Sequence, residues 1–148
     1  MNRKITTLGM LMSRPSTLID EKQRLAALDV GQSLIVEAPA GSGKTTLLTQ
    51  RYLRLLSLAE SPESIVAVTF SRKAAEEMRA RIVNALNAIN DSPQHDDTSE
   101  VQHGPTGLDP VTEQWAREAL KNATSRNWAL ELNPRRLRIL TIDALAHL

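Results

Sequence analysis

The stretch "VEAPAGSGKTTLLTQRYLRLL", from Val36 to Leu56, sets an apolar run, a glycine-rich turn and an amphipathic helical pattern end to end. "SLIVEA", beginning at Ser33, is bounded by "DVGQ" and "PAGSG", which predicts a buried strand with turn residues on both sides. "TTLLTQRYLRLLSL" then places Leu47, Leu48, Tyr52, Leu55 and Leu56 at helical spacing and stops before "ESPES". At the junction, "APAGSGKT" (Ala38 to Thr45) fits the phosphate-loop pattern with alanine where the first glycine usually stands. Glycines let successive N–H groups point at phosphate oxygens, and the following helix adds its positive end. In that pattern Lys44 reaches the β- and γ-phosphates and the Thr45 hydroxyl takes a position on Mg²⁺. Lys44 and Thr45 are therefore the candidate catalytic pair, Thr45 the candidate metal contact. Ala38, Pro39, Ala40, Gly41, Ser42, Gly43 and Thr46 complete the candidate nucleotide site. A glycine turn that binds nothing is the alternative, and the strand-to-helix context argues against it. The loop itself does not separate ATP from GTP, or a kinase from a motor.

The strand-helix order repeats. "SIVAVTF" reads as a second buried strand, and "SRKAAEEMRARIVNALNAI" as a helix with Ser71 as N-cap and Ala75, Met78, Ile82, Leu86 and Ile89 along one face. Two such units predict an α/β fold with a parallel sheet and right-handed crossovers. From Asn90 to Pro110 the chain turns polar, without lysine or arginine, and a mobile surface loop is expected over about 90–110. "VTEQWAREALKNATSRNWAL" then reads as a helix with Trp115, Ala119 and Leu120 on one side. A third strand is expected from Leu137 to Ile142, turning toward a further helix.

The rest of the composition narrows the class. In 148 residues, 41% are hydrophobic and 24% charged, which suits a folded domain. Cysteine is absent, so neither a disulfide framework nor a thiolate metal site is available. The opening "MNRKITTLGMLM" is too broken for a signal peptide and no run approaches a membrane span, so a cytoplasmic protein without membrane partners is expected. A net charge of +1 confines any basic surface to a local patch.

Four stretches, in order, resemble the UvrD/Rep family of superfamily 1 DNA helicases, most closely its RecB- and AddA-like exonuclease branch. "LIDEKQRLAAL" resembles the family's Q motif, which assigns adenine recognition to Gln23 and favours ATP. "EAPAGSGKTTLLTQRYLRLL" is similar to motif I, with Thr46 where many members carry an adenine-packing arginine. "VAVTFSRKAAEEMRARI" is similar to motif Ia, which implies contact of single-stranded DNA with Thr69, Phe70, Ser71 and Arg72. An exposed aromatic suits base stacking, and hydroxyls and cations suit phosphates. Read without the family, Phe70 is a core residue and the neighbouring charges a solvated helix face. Last, "TEQWAREALKNATSRNWALELNPRRLRILTIDAL" resembles the approach to motif Ib, implying a DNA contact at Thr141, with Ala144 and Leu145 replacing the family's serine and phenylalanine. Trp115 and Trp128 read as helix-packing residues.

"RILTIDA" also admits another reading, a strand closing on Asp143 as a Mg²⁺ partner beside Thr45. The alanine at 144, where a helicase Asp-Glu pair would place its glutamate, favours motif Ib. The resemblance implies a RecA-like P-loop NTPase fold, incomplete because the chain stops before the Asp-Glu motif. It divides the chain into an N-terminal extension over 1–17 and a partial helicase ATP-binding domain over 18–148. ATP and Mg²⁺ are the implied cofactors. Single-stranded DNA and other subunits of a helicase–nuclease complex are the implied partners, with 3′-to-5′ translocation in the intact protein. A small P-loop NTPase or kinase, and a binding module without turnover, are the alternatives.

Overall fold

The computed structural model describes residues 4–7, 17–92 and 106–147. In chain order these form β1 (Lys4–Thr7), α1 (Thr17–Ala27), β2 (Leu34–Glu37), α2 (Lys44–Leu58), β3 (Val66–Thr69), α3 (Arg72–Asn90), α4 (Pro110–Ser125), β4 (Arg138–Thr141) and α5 (Ile142–Leu145). Short 3₁₀ turns, Pro62–Ser64 and Pro134–Arg136, lead into β3 and β4. The chain is an α/β protein whose strands pair in parallel, as the repeated strand-helix order predicts.

The pairing itself departs from a single sheet. Among the described residues there are two two-stranded ladders, β1 with β2 (Lys4 opposite Leu34, Thr7 opposite Glu37) and β3 with β4 (Val66 opposite Arg138, Thr69 opposite Thr141). Apolar runs mark a strand, not which strand lies beside it, so the sequence pattern could not separate the two ladders. Nor are β2 and β3 the buried strands expected, since each alternates half-buried with exposed residues, one face only being covered. β1 falls in the stretch read as an extension. Its four residues are too few to carry a periodic signal.

α2, α3 and α4 enclose the main core. Tyr52, Leu53 and Leu56 of α2 meet Met78, Ile82 and Leu86 of α3, Ala116, Ala119 and Ala123 of α4, and Leu137 and Ile139 entering β4. The alanines of α4 let the backbones approach while α2 and α3 supply the bulk. Leu48, expected on the buried face of α2, is instead 55% exposed. The buried stripe runs through Thr49, Tyr52, Leu53 and Leu56, and Leu48 lies beside it. α3 matches its sequence pattern: Ser71 Oγ accepts the Ala74 N–H at 3.1 Å as N-cap, and the five expected residues are buried.

α4 begins at an Asp109 cap, whose Oδ1 accepts the Thr112 N–H at 3.0 Å, and ends at Ser125, five residues earlier than its apolar pattern suggests. Asn127 there adopts a left-handed φ of 56°. The Trp128 N–H donates to the Ala123 carbonyl at 2.9 Å and the Asn127 N–H to that of Thr124 at 3.1 Å, a Schellman closure with asparagine in the usual glycine place. Trp128 thereby returns to the core. The expected polar loop over 90–110 lies mostly at 93–105, outside the described residues; Asn90 still belongs to α3.

A smaller cluster of Ala27, Leu28 and Leu47, with Leu34 and Val36 against it, joins α1, β2 and the start of α2. Trp115 of α4 packs on both clusters, and the Arg54 guanidinium lies 4.9 Å from its ring centroid. Trp115 and Trp128 are thus both packing residues. This smaller cluster carries the loop described next.

Candidate functional site

Between β2 and α2 the chain turns through Gly41 at φ 77° and Gly43 at φ 83°, a left-handed pair that side chains other than glycine adopt with strain. The Ser42 N–H closes the turn on the Pro39 carbonyl at 3.3 Å. Gly43 is the N-cap of α2 and offers no side chain to the first turn, leaving its N–H groups to be satisfied from outside the helix. Lys44 folds back over the loop, its Nζ donating to the Ala38 carbonyl and, at 2.6 Å, to that of Pro39. Thr45 is exposed, and its carbonyl accepts the Thr49 hydroxyl at 2.9 Å. Ser42 Oγ is buried and lacks a hydrogen-bond partner among the described residues.

α1 stands over this loop. Gln23 and Arg24 line one recess together with Ala38, Ser42, Gly43 and Lys44, floored by Ala27, Leu34, Val36 and Leu47. Arg24 Nη2 donates to the Ser42 carbonyl at 2.5 Å. The placement of α1 is set by two arginines of α2. Arg51 donates to the carbonyls of Ala27 (2.6 Å), Asp29 (2.9 Å) and Gln32 (2.9 Å), and Arg54 to that of Leu28 (2.6 Å). These carbonyls lie at a helix C-terminus and in the turn after it, where intrahelical donors run out; that of Asp29 also accepts the Gln32 N–H at 3.4 Å. Burial lowers the Arg51 pKa, Asp29 opposes that shift and Arg54 adds to it. Thr46 faces elsewhere, lining a separate groove with Arg81, Asn84, Asp109 and Thr112.

The other singled-out residues gather at the C-terminal ends of β3 and β4. Thr69 and Thr141 are opposite in the ladder. The Thr69 hydroxyl donates to the Ser71 carbonyl at 3.0 Å, while Thr141 Oγ1 caps α5 by accepting the Ala144 N–H at 3.2 Å. Phe70 projects with 93% of its surface exposed, contrary to a core role, and Ser71 and Arg72 beside it are exposed. Asp143 follows β4 and is exposed, and β4 is laddered to β3 rather than to β2.

Comparison with known proteins bears on both clusters. The UvrD/REP helicase N-terminal domain family matches residues 19–147, a span that contains the loop, α1 from Ile19 and the ends of β3 and β4. The chain belongs to that family. Among relatives, an ATP-dependent helicase/nuclease subunit of Thermoanaerobacter sp. (strain X514) is 43% identical over 79 residues, 51% of this chain and 6% of its own length. DNA helicase II of Escherichia coli (strain K12) is 51% identical over 65 residues, 43% of the chain and 9% of its own length. The probable DNA helicase II homolog of Mycoplasma pneumoniae is 42% identical over 73 residues, 48% and 10% respectively. The chain thus spans 6% to 10% of the length of these relatives. No solved structure gave a significant match.

Within this UvrD/REP helicase N-terminal domain, three arginines at the site escape a reading of the sequence. Arg24, Arg51 and Arg54 lie 18 to 26 residues from the carbonyls they bind. A local pattern carries no trace of such pairings. The "QR" at 23–24 is the nearest signal, because consecutive helical residues share an end of α1 even when they do not share a face.

Proposed function

We propose that the chain is the ATP-binding part of an ATP-dependent DNA helicase or translocase of the helicase–nuclease type, acting on single-stranded DNA. The observation that carries this reading is the meeting of Gln23 and the 38–45 loop at one recess, in a chain of a helicase family. The loop suits a polyphosphate: left-handed glycines, an N-terminal helical turn without a side-chain cap, and a lysine held by neutral carbonyls that an anion would displace. Lys44 would turn from the Ala38 and Pro39 carbonyls to the β- and γ-phosphates. The exposed Thr45 hydroxyl would hold Mg²⁺, which when bound neutralises phosphate charge. Gln23 would read the adenine edge above the apolar floor of the recess. Thr46 takes part through the first turn of α2, its side chain lying in the neighbouring groove.

Thr69, Phe70, Ser71, Arg72 and Thr141 form the proposed DNA contact. A ring exposed to this degree gives a sequence-tolerant stacking surface, and the hydroxyls and cation beside it suit a phosphate backbone. The domain is proposed to be RecA-like over 18–148, in a cytoplasmic protein, with a water-polarising glutamate and arginine fingers supplied from outside the four motifs. Other subunits of a helicase–nuclease complex are proposed partners. Among the described residues no helix is long and apolar enough to cross a membrane. A small kinase or NTPase using Asp143 needs that residue beside Thr45, and the pairing of β4 with β3 favours the helicase reading over it.

The test is a titration of MgATP into the wild-type chain and Lys44→Ala. Loss of a charge-assisted phosphate contact weakens binding by about tenfold or more. Equal affinities sink the assignment. ATP turnover in the intact protein should then rise with single-stranded DNA. Turnover indifferent to DNA points to the small NTPase, and binding without turnover to an inactive module.

A further inference from the structure

Arg24 has no part in the motif roles above, yet its guanidinium is seated in the phosphate loop. Nη2 donates to the Ser42 carbonyl at 2.5 Å, and a Cβ on Gly43 would lie 3.0 Å from Nη2 and 3.2 Å from Nη1. Gly43 therefore serves two ends: its left-handed turn, and the close approach of a cation. On the other flank Lys44 holds the Ala38 and Pro39 carbonyls. Both cations donate to neutral carbonyls of the loop. The Ser42 carbonyl is neutral, whereas a phosphate oxygen adds opposite charge to the guanidinium and can take two parallel N–H bonds from it, so an entering anion outcompetes the carbonyl. The end of α1 that carries it is pinned to α2 through Arg51 and Arg54, so exchange of partners requires side-chain rotation and no movement of the helix.

We infer that Arg24 is a second phosphate-binding cation of this site, leaving the Ser42 carbonyl to pair with a phosphate oxygen when a polyphosphate enters. The inference rests on the nucleotide reading given above. It makes recognition of the polyphosphate two-sided, with Lys44 from α2 and Arg24 from α1, while Gln23 beside it serves the base.

The probe is sodium tripolyphosphate, which has the anion and no base. Calorimetric titration of the full chain should give binding that weakens about tenfold in Arg24→Gln and by less than about threefold in Arg24→Lys. Lys121→Gln, which removes an exposed cation on α4, sets the effect of net charge and should stay within about twofold. In the wild-type chain the Arg24 Nε proton resonance, assigned by its loss in Arg24→Lys, should move downfield on saturation with tripolyphosphate. That measurement holds even if Arg24→Gln does not fold. Wild-type affinity in a folded Arg24→Gln, or an unmoved resonance, overturns the inference. The nucleotide reading fails differently: the wild-type chain then binds neither ATP nor tripolyphosphate, or Lys44→Ala binds both unchanged.

Discussion

Arg136 shows how much a single side chain can carry. Its Nε and Nη2 donate to the two Glu63 oxygens at 2.6 and 3.2 Å, and its Nη1 to the Trp128 carbonyl at 2.8 Å. One guanidinium thus ties the turn before β3 to the Schellman closure after α4. The hydrogen bond from Arg136 holds the Glu63 carboxyl below its ordinary value of 4.5, against a smaller opposing effect of burial. A carboxylate with a depressed folded pKa contributes stability that is fully present above its unfolded pKa and is lost as pH falls through the folded one. Glu63→Gln is therefore expected to destabilise the chain near neutral pH, with the difference from wild type shrinking once pH drops below 4.5. Urea unfolding midpoints measured from about pH 7 down to about pH 3 check this. A gap between the two proteins that stays constant across that range refutes it.

Among the elements, α1 depends most on its neighbours. Eleven residues make a helix that is marginal alone, and its C-terminal carbonyls are satisfied by Arg51 and Arg54 rather than by a glycine cap. Arg51→Ala removes a donor from three carbonyls at the end of α1 and the turn beyond it, of which that of Asp29 keeps the Gln32 N–H. The expected cost is about 1–3 kcal/mol, felt first locally: amide exchange in α1 should accelerate while that in α3 is unchanged. Uniform acceleration of both would mean that Arg51 supports the whole core instead. The contrast between α1 and α3 also explains what the sequence could tell. α3 is legible in full because its cap, its apolar period and its length are all local, and the loop at 38–45 is legible because glycine spacing is a local constraint on backbone torsion. The end of α4 is not, since Asn127 in a left-handed turn looks like any polar helical residue until Trp128 is seen folding back. Leu48 misleads because α2 faces two clusters, and a single apolar stripe describes neither. The clamp on α1 is invisible in the sequence, its arginines being 19 to 26 residues from their acceptors.

At the scale of the molecule, helices cover one face of each ladder and the other face is open. Leu34 and Val36 pack inward while Ile35, between them, is 51% exposed; Val66 and Val68 of β3 are each 45% exposed. Parallel sheets are ordinarily buried on both faces, and continuous apolar runs such as "LIV" and "VAV" are written for that environment. Among the described residues the two ladders also leave unpaired strand edges, which template association. For these 148 residues alone, self-association is the expected result. Light-scattering mass should rise over about 1 to 100 μM, the range in which exposed apolar surface and open edges drive association. Ile35→Thr, Val66→Thr and Val68→Thr together should hold the chain monomeric. Threonine keeps the branched shape that a strand accepts, so secondary structure should persist. A monomer at every concentration would show that helices on one face suffice, and association unaffected by the three threonines would transfer the cause from the open face to the strand edges.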